Sequence, residues 1–514
     1  MQGYPNTGEP NTYLSPLTVL RYTSQVCKRW RELTLNSPSL WAQIIYLDGL
    51  RHDEDEWRDV VLQRTGKALL FISGNIKEDD IEAEFLDWCR MLLYDQWERI
   101  QQLDIFSAGR DDFVLDLWAP LLTRPAKNLL SFILSVQPTS ESPLLTRSTN
   151  LFSGDAPLLR ELSLEQVNFN TRAPLLTQLS TLWISYYEDM SPKFALPQVF
   201  AVVSAIPRLR SLALIHVLEN ATTQNLQPLS IPSLHEITII DSLIPCLEFL
   251  DNMTPQPGCK LYWDSWSIML APGEKDAFLR LISQYSLSYF NVNPSTNVFY
   301  YFLEDKIKCG EIPLSEPCEP TFYVEIVLED DILCELTPQM FGALRLGNSL
   351  PNISTLDFEG SPFVFDYYST ELVHLLCSFP SLQTLVTGTA TFRDVFTKFS
   401  RTGLQFPALF STLGELNIYS LRIRGELYYT VREDVSTFYY DFLAWRRNVG
   451  VPIRLFNLTM CTKDKLARLR MLEDFKGLEV IWKGEGGERS YICGSGHPEV
   501  LDFNLPPWLL EGPE

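Results

Sequence analysis

Apolar residues recur along this chain with two periods. At seven places every second residue is apolar over a short run: PLLRELSL from Pro157, PRLRSLAL from Pro207, PSLHEITI from Pro232, PNISTLDF from Pro351, PSLQTLVT from Pro380, the looser PALFSTLGELNIYS from Pro407, and LSTLWIS at 179–185. Alternation of this kind predicts a short strand with one face buried, and a leading proline, which cannot continue a helix, marks off each strand from what precedes it. The first core positions are Leu162, Leu182, Leu212 and Ile237, then Leu356, Leu385 and Leu416, so successive strands are spaced 20, 30 and 25, then 29 and 31 residues apart. Those are the lengths of leucine-rich repeats.

Helical spacing of apolar residues fills the intervals, as in FLDWCRMLLYDQWERI (85–100), VFAVVSAI (199–206), ELVHLLCSF (371–379) and DFLAWRRNVG (441–450). One strand–helix unit cannot bury its own apolar face, whereas stacked units share a continuous core. The expected fold is α/β: a short helical segment at 14–47, then a curved leucine-rich-repeat-like solenoid with a parallel sheet over 48–484. The pattern weakens about 255–350, where TFYVEIVL (321–328) reads as a strand, GEKDAFLRLISQY (273–285) as a helix opened by acidic residues, and KCGEIPLSEPCEP (308–320) as an inserted loop. Residues 1–13 are expected to be disordered and 485–514 to form a loop and tail, with the glycine-rich KGEGGERSYICGSGH (483–497) as a flexible loop. If the strands run parallel, Glu165, Trp183, Ile215, Ile240, Asp357, Glu359 and Tyr419 face the open side and form the candidate target-binding face, with Trp183 near Ile215 and Ile240 as an exposed apolar patch.

The window VCKRWRELTLNSPSLW (26–41) departs from the repeats. Val26, Trp30 and Leu33 at i, i+4 and i+7 make one apolar helical stripe beside Cys27, with Lys28, Arg29, Arg31 and Glu32 pointing elsewhere. Thr23 or Ser24 is expected to cap the helix, and Asn36, Ser37 and Pro38 to end it and return Leu40 and Trp41 toward the stripe. At Val26, Cys27, Lys28, Trp30, Arg31, Leu33, Pro38, Leu40 and Trp41 the chain resembles the second half of the F-box. The chain as a whole resembles fungal F-box proteins with degenerate leucine-rich repeats. The family's usual Leu-Pro-x-Glu start is not found in NTYLSPLTVLRYTS, so the amino-terminal half of the motif reads as missing or degenerate. What the resemblance implies is a substrate-recognition adaptor of a Skp-cullin-F-box ubiquitin ligase. Val26, Cys27, Trp30, Leu40 and Trp41 would then form or support the surface for a Skp-type linker, and the repeats would hold a protein target. The alternative is a leucine-rich-repeat interaction scaffold whose relic F-box no longer docks.

Charge narrows the partners further. With 42 basic and 64 acidic residues among 514, a net charge of −22 repels phosphate backbones and anionic headgroups, so neither nucleic acid nor membrane is an expected partner. No basic, apolar leader opens the chain, and an intracellular location, cytoplasmic and/or nuclear, is expected. The sequons at Asn220, Asn252, Asn352 and Asn457 then read as chance matches. Ten cysteines without Cys-x-x-Cys spacing read as free, mostly buried thiols. The five histidines lack ligand spacing, and His216 and His235 read as structural strand residues. The acidic runs DEDE (53–56), KEDD (77–80) and EDD (329–331) lack the glycine of a calcium loop and read as solvated loops. With no nucleophile elbow or phosphate loop, no catalytic residue, metal or cofactor is expected, and the chain reads as not an enzyme.

Overall fold

A computed structural model describes residues 16–51, 55–78, 83–138, 143–188, 193–219, 226–267, 269–303, 305–312, 320–344, 350–360, 369–393, 410–419, 435–461, 469–484 and 487–501. The expected disorder of 1–13 lies outside them, as does the sequon at Asn220. The chain is a mixed α/β protein that divides into two compact units. The first comprises Met1–Glu236 with Met253–Pro255, and the second Ile237–Asn252 with Gln256–Glu514.

The first unit opens with helices α1 (Pro16–Thr23), α2 (Lys28–Leu35) and α3 (Pro38–Ala42), strand β1 (Ile45–Tyr46), and helices α4 (Leu47–Leu50) and α5 (Asp55–Arg64). Strand β1 then pairs with the first of six longer strands: β2 (Leu70–Lys77), β3 (Ile100–Gly109), β4 (Ser131–Pro138), β5 (Glu161–Glu165), β6 (Thr181–Ser185) and β7 (Ser211–Ile215). Every pairing from β1 to β7 is parallel and follows chain order. In register, Ile45, Ile72, Leu103, Phe132, Leu162, Leu182 and Leu212 make one apolar row across all seven strands, and none is more than 2% exposed. Burying each such side chain contributes about 1.5–3 kcal/mol, and a slip of one residue would turn the row to the opposite face, so the row fixes the register. Helix α6 (Ala83–Asp95) buries Phe85, Trp88, Cys89, Leu92 and Leu93. Helix α7 (Asp111–Leu122) packs on β3 and β4, and α8 (Leu196–Ser204) precedes β7. A separate parallel pair joins β8 (Leu229–Ile231) to β10 (Met253–Pro255).

The second unit contains β9 (Glu236–Ser242), α9 (Leu243–Asp251), β11 (Lys260–Ser267), α10 (Pro272–Val292), β12 (Asn297–Phe302), β13 (Lys306–Glu311), β14 (Phe322–Leu328) and α11 (Asp330–Leu344). Strands β15 (Thr355–Gly360), β16 (Thr384–Gly388), β17 (Glu415–Tyr419), β18 (Leu455–Met460), β19 (Glu479–Gly484) and β20 (Gly487–Ile492) follow, with helices at Ser369–Leu376 and Val435–Asn448 between them. The spatial order is β9, β11, β14, β13, β12, then β15 to β20. From β12 through β15 to β19 all neighbours are parallel, and Val298, Leu356, Leu385, Leu416, Phe456 and Val480 repeat the buried row. The weakened pattern at 255–350 has its cause here: β13 runs antiparallel to both neighbours, between the parallel strands β12 and β14.

All seven alternating runs are strands, and 321–328 and 273–285 fall in β14 and α10. The segment 308–320, expected to be a loop, begins inside β13, because Ile307 and Cys309 alternate with lysines and bury themselves against β12 and β14; residues 313–319 lie outside the described set. The segment 483–497 is not a loop but largely a hairpin: β20 folds back antiparallel on β19, with Gly487 at φ 129 beside the turn and Tyr491 and Cys493 buried. Only the first part of 85–100 is α-helix, since β3 starts at Ile100. DEDE runs into α5 and EDD into α11, where acidic groups favour a helix amino terminus. His216 follows β7 with φ 55 and His235 precedes β9, so neither is within a strand. Of the eight cysteines whose side chains are described, five are buried, while Cys27 and Cys377 are exposed.

Candidate functional site

Two surfaces contain the residues singled out from the sequence. The first is built by α1–α3. Thr23 and Ser24 do not cap α2: their hydroxyls donate to Val19 O (2.7 Å) and Arg21 O (2.6 Å) and so finish α1. The amino cap of α2 is Cys27, in extended conformation and without a side-chain cap bond. Asn36 Nδ2 donates to Glu32 O (2.9 Å) and Ser37 Oγ to Leu33 O (2.5 Å), satisfying carbonyls at the helix end, and Pro38 starts α3 where its missing N–H costs nothing. Of the basic residues, Arg31 reaches back to Ser24 O (3.3 Å), and Lys28 sits 3.9 Å from Glu32 in a wholly exposed pair of little energetic value.

Trp30 and Trp41, alike in sequence, are separated by this geometry. Trp41 is fully buried: its indole N–H donates to Thr34 O (2.8 Å), its ring meets Trp57 edge-on at 6.2 Å, and the Arg64 guanidinium lies over it at 4.5 Å. It packs the hairpin from inside and presents nothing to a partner. Val26 is 71% exposed and Trp30 53%, and Leu33, Leu40 and Cys27 are exposed with them. Helix α1 adds Val19 and Tyr22, both exposed, which the sequence reading did not include; their spacing of three residues on a short helix was the available signal. Behind this group, Asp48 accepts from Asn75 N (3.1 Å) and Nδ2 (3.0 Å), fastening α4 to β2. Gly74, at φ 137, is required there because a Cβ would stand 2.8 Å from that of Leu47.

The second surface is the sheet face opposite the buried row, taken unit by unit. In the first unit Glu165, Trp183 and Ile215 all occupy that face and are half-buried. Glu165 accepts from the Ser135 hydroxyl. Trp183 lies in register between Ser163 and Ala213 and is half-buried, so it is not the exposed patch expected. In the second unit Ile240 is half-buried on β9, whereas Asp357, Glu359 and Tyr419 meet in one cluster. Glu359 is 4% exposed and accepts from Gly388 N (2.9 Å), Thr391 Oγ1 (2.8 Å) and Tyr419 OH (2.9 Å). Asp357 accepts from Tyr301 OH (2.6 Å) and Tyr419 OH (3.5 Å). All these donors are neutral, and burial pushes both carboxyls up to about 6. Gly388 allows the approach, since a Cβ would stand 2.6 Å from Glu359 Oε2.

Further along the same face lie residues that the sequence reading missed. Tyr262 and Tyr323 pair in register and stack at 4.7 Å and 12°, with Asp264 paired to Glu325 one pleat on. Glu325 takes Lys308 at 2.7 Å, Lys306 at 3.8 Å and the Tyr323 hydroxyl. Burial and the Glu325 charge push Asp264 up to about 6. The signal for them was YWDSW against FYVEIV, two strands in which aromatic and acidic residues share one alternation.

Comparison with protein families places an F-box-like domain at residues 12–46, a span that includes α1, α2 and α3. The matched span starts at residue 12, upstream of Val26, and contains no Leu-Pro-x-Glu. No curated protein matches the chain. Among the described residues no helix is long and apolar enough to cross a membrane.

Proposed function

We propose that this chain is a substrate-recognition adaptor of a Skp-cullin-F-box ubiquitin ligase, in which α1–α3 dock a Skp-type linker and the strand–helix units, as degenerate leucine-rich repeats of a solenoid, hold a protein target. In this reading the chain does no chemistry of its own, needs no metal or cofactor, and works in the cytoplasm or nucleus. The observation that carries the proposal is the conjunction of the F-box-like match with exposed apolar side chains on three short consecutive helices, Val19 and Tyr22 on α1, Trp30 and Leu33 on α2 and Leu40 on α3, with Val26 in the turn between α1 and α2. Large apolar side chains left in water on a packed scaffold are the usual anchors of a protein interface. Trp41, with the Trp57 and Arg64 contacts beneath it, holds the scaffold rigid so that less ordering accompanies binding.

The test is co-purification of the full chain with a Skp-type linker, repeated with Trp30→Ala and with Leu33→Asp. Retention of the wild type and loss by both variants is expected. Absence of retention, or retention unchanged by both, would leave an interaction scaffold with a relic F-box.

A further inference from the structure

We propose that the tyrosine- and carboxylate-lined face of the second unit's sheet binds an arginine-bearing, extended segment of a protein target. The proposal rests on the adaptor reading for calling that partner a target. The face is assembled by register: Asp264 on β11 lies beside Glu325 on β14, Glu325 beside Lys308 on β13, Lys308 beside Tyr301 on β12, and Tyr301 beside Glu359 on β15. Asp357 stands one pleat before Glu359, as the stacked Tyr262 and Tyr323 stand one pleat before Asp264 and Glu325.

Charge on this face is unbalanced. Along β11 to β15 four carboxyl groups share this face with Lys260, Lys306 and Lys308, and Lys306 and Lys308 are both drawn to Glu325. Asp264 has no hydrogen bond or ion pair among the described residues, although like charges directly opposite on neighbouring strands repel. The donors to Asp357 and Glu359 are tyrosine and threonine hydroxyls and a backbone N–H, none of them cationic. A cation brought against Asp264 would relieve the repulsion from Glu325, and a second near Asp357 would do the same beside Glu359. Guanidinium suits the first position better than ammonium, because its plane packs on an aromatic surface and its fork pairs with a carboxylate, and the stacked Tyr262–Tyr323 pair puts such a surface one pleat from Asp264. Four interstrand steps separate β11 from β15, roughly 19 Å, which extended chain spans in about six residues. Two arginines with five residues between them would therefore reach both carboxyl groups.

The experiment uses the full chain and a fluorescein-labelled glycine–serine peptide carrying two arginines with five residues between them, read by anisotropy, with lysine and glutamine versions beside it. Saturable binding of the arginine peptide is expected, at least fivefold tighter than the lysine version and absent with glutamine. Asp264→Asn and Asp357→Asn should each weaken it at least fivefold, while Glu488→Gln, an exposed carboxylate on β20, should stay within twofold. Tyr262→Ala should weaken it and Tyr262→Phe retain it, so the aromatic surface is tested even where a carboxyl variant folds poorly. No binding, equal binding of the lysine peptide, or indifference to the Asp264 and Tyr262 substitutions would overturn the proposal. Linker retention measured on the same preparations separates the two readings, since loss of the linker with peptide binding intact would sink the adaptor and leave the face.

Discussion

Truncating Trp41 and truncating Trp30 should have opposite signatures. Trp41→Ala removes a fully buried indole, its edge contact with Trp57, its place under Arg64 and the hydrogen bond to Thr34 O. Truncations of that size in a core cost about 3–5 kcal/mol, and the lost hydrogen bond is part of that total because Ser37 N also reaches Thr34 O. Trp30 is 53% exposed, so its removal should cost under about 1 kcal/mol. The chain has two units, and a single unfolding midpoint would mix them, so the assay is native-state hydrogen exchange read on amides of α2, α3 and α5. Where exchange follows local opening, 3–5 kcal/mol is a loss of protection of roughly a hundredfold or more for Trp41→Ala, against less than about tenfold for Trp30→Ala. Equal losses in the two variants, or no loss for Trp41→Ala, would refute the division into an inner and an outer tryptophan.

Gly388→Ala should destabilise the second unit by about 1–3 kcal/mol, read as lost hydrogen-exchange protection in β15–β17, because the new Cβ would stand 2.6 Å from a carboxylate held by three hydrogen bonds. Burial raises the carboxyls of Asp357 and Glu359 in the folded chain to about 6, above their ordinary values of 3.8 and 4.5. The folded state therefore binds more protons than the unfolded one in that window, and stability should fall as pH rises from about 4 through about 6, then level off. Exchange in β15–β17, corrected for its intrinsic pH dependence, should show greater protection at pH 5 than at pH 7.5, and the double variant Asp357→Asn with Glu359→Gln should lose much of that difference. Asp48→Ala should loosen α4 from β2, read as faster exchange at Asn75, whose N–H it accepts.

The strands most legible in the sequence were those with a punctuating proline and a clean alternation. Leu162, Leu182 and Leu212 in one unit, and Leu356, Leu385 and Leu416 in the other, pair directly in register. Strands β2, β3 and β4 belong to the same row as the first three, yet no proline introduces β2 or β3, Pro125 stands further from Phe132 of β4 than Pro157 does from Leu162, and β3 follows α6 so closely that one helical pattern covered both. The hairpin of β19 and β20 was hidden because glycine composition reports a turn but not that the flanking residues pair. At α1–α3, periodicity set Trp30 and Leu33 on one helix, but Val26 lies before the amino cap Cys27 and outside the stripe expected of it, and spacing did not tell which tryptophan was inside. That depends on Trp57 and Arg64, contacts that local spacing does not encode. Asp357, Glu359 and Tyr419 could be assigned to one face by alternation, whereas their shared hydrogen bonds follow from strand pairings made over about thirty to sixty residues.

The most direct measurement is the equilibrium affinity of the full chain for a purified Skp-type linker, determined for the wild type, Trp30→Ala and Met91→Ala, the last an equally exposed apolar residue on α6. Loss of a buried anchor worth about 2 kcal/mol weakens binding roughly thirtyfold, so the expected result is a measurable affinity that falls by about that factor with Trp30→Ala and stays within twofold with Met91→Ala. No binding by the wild type, or equal affinities for all three proteins, would contradict the assignment of α1–α3 as the linker-docking surface.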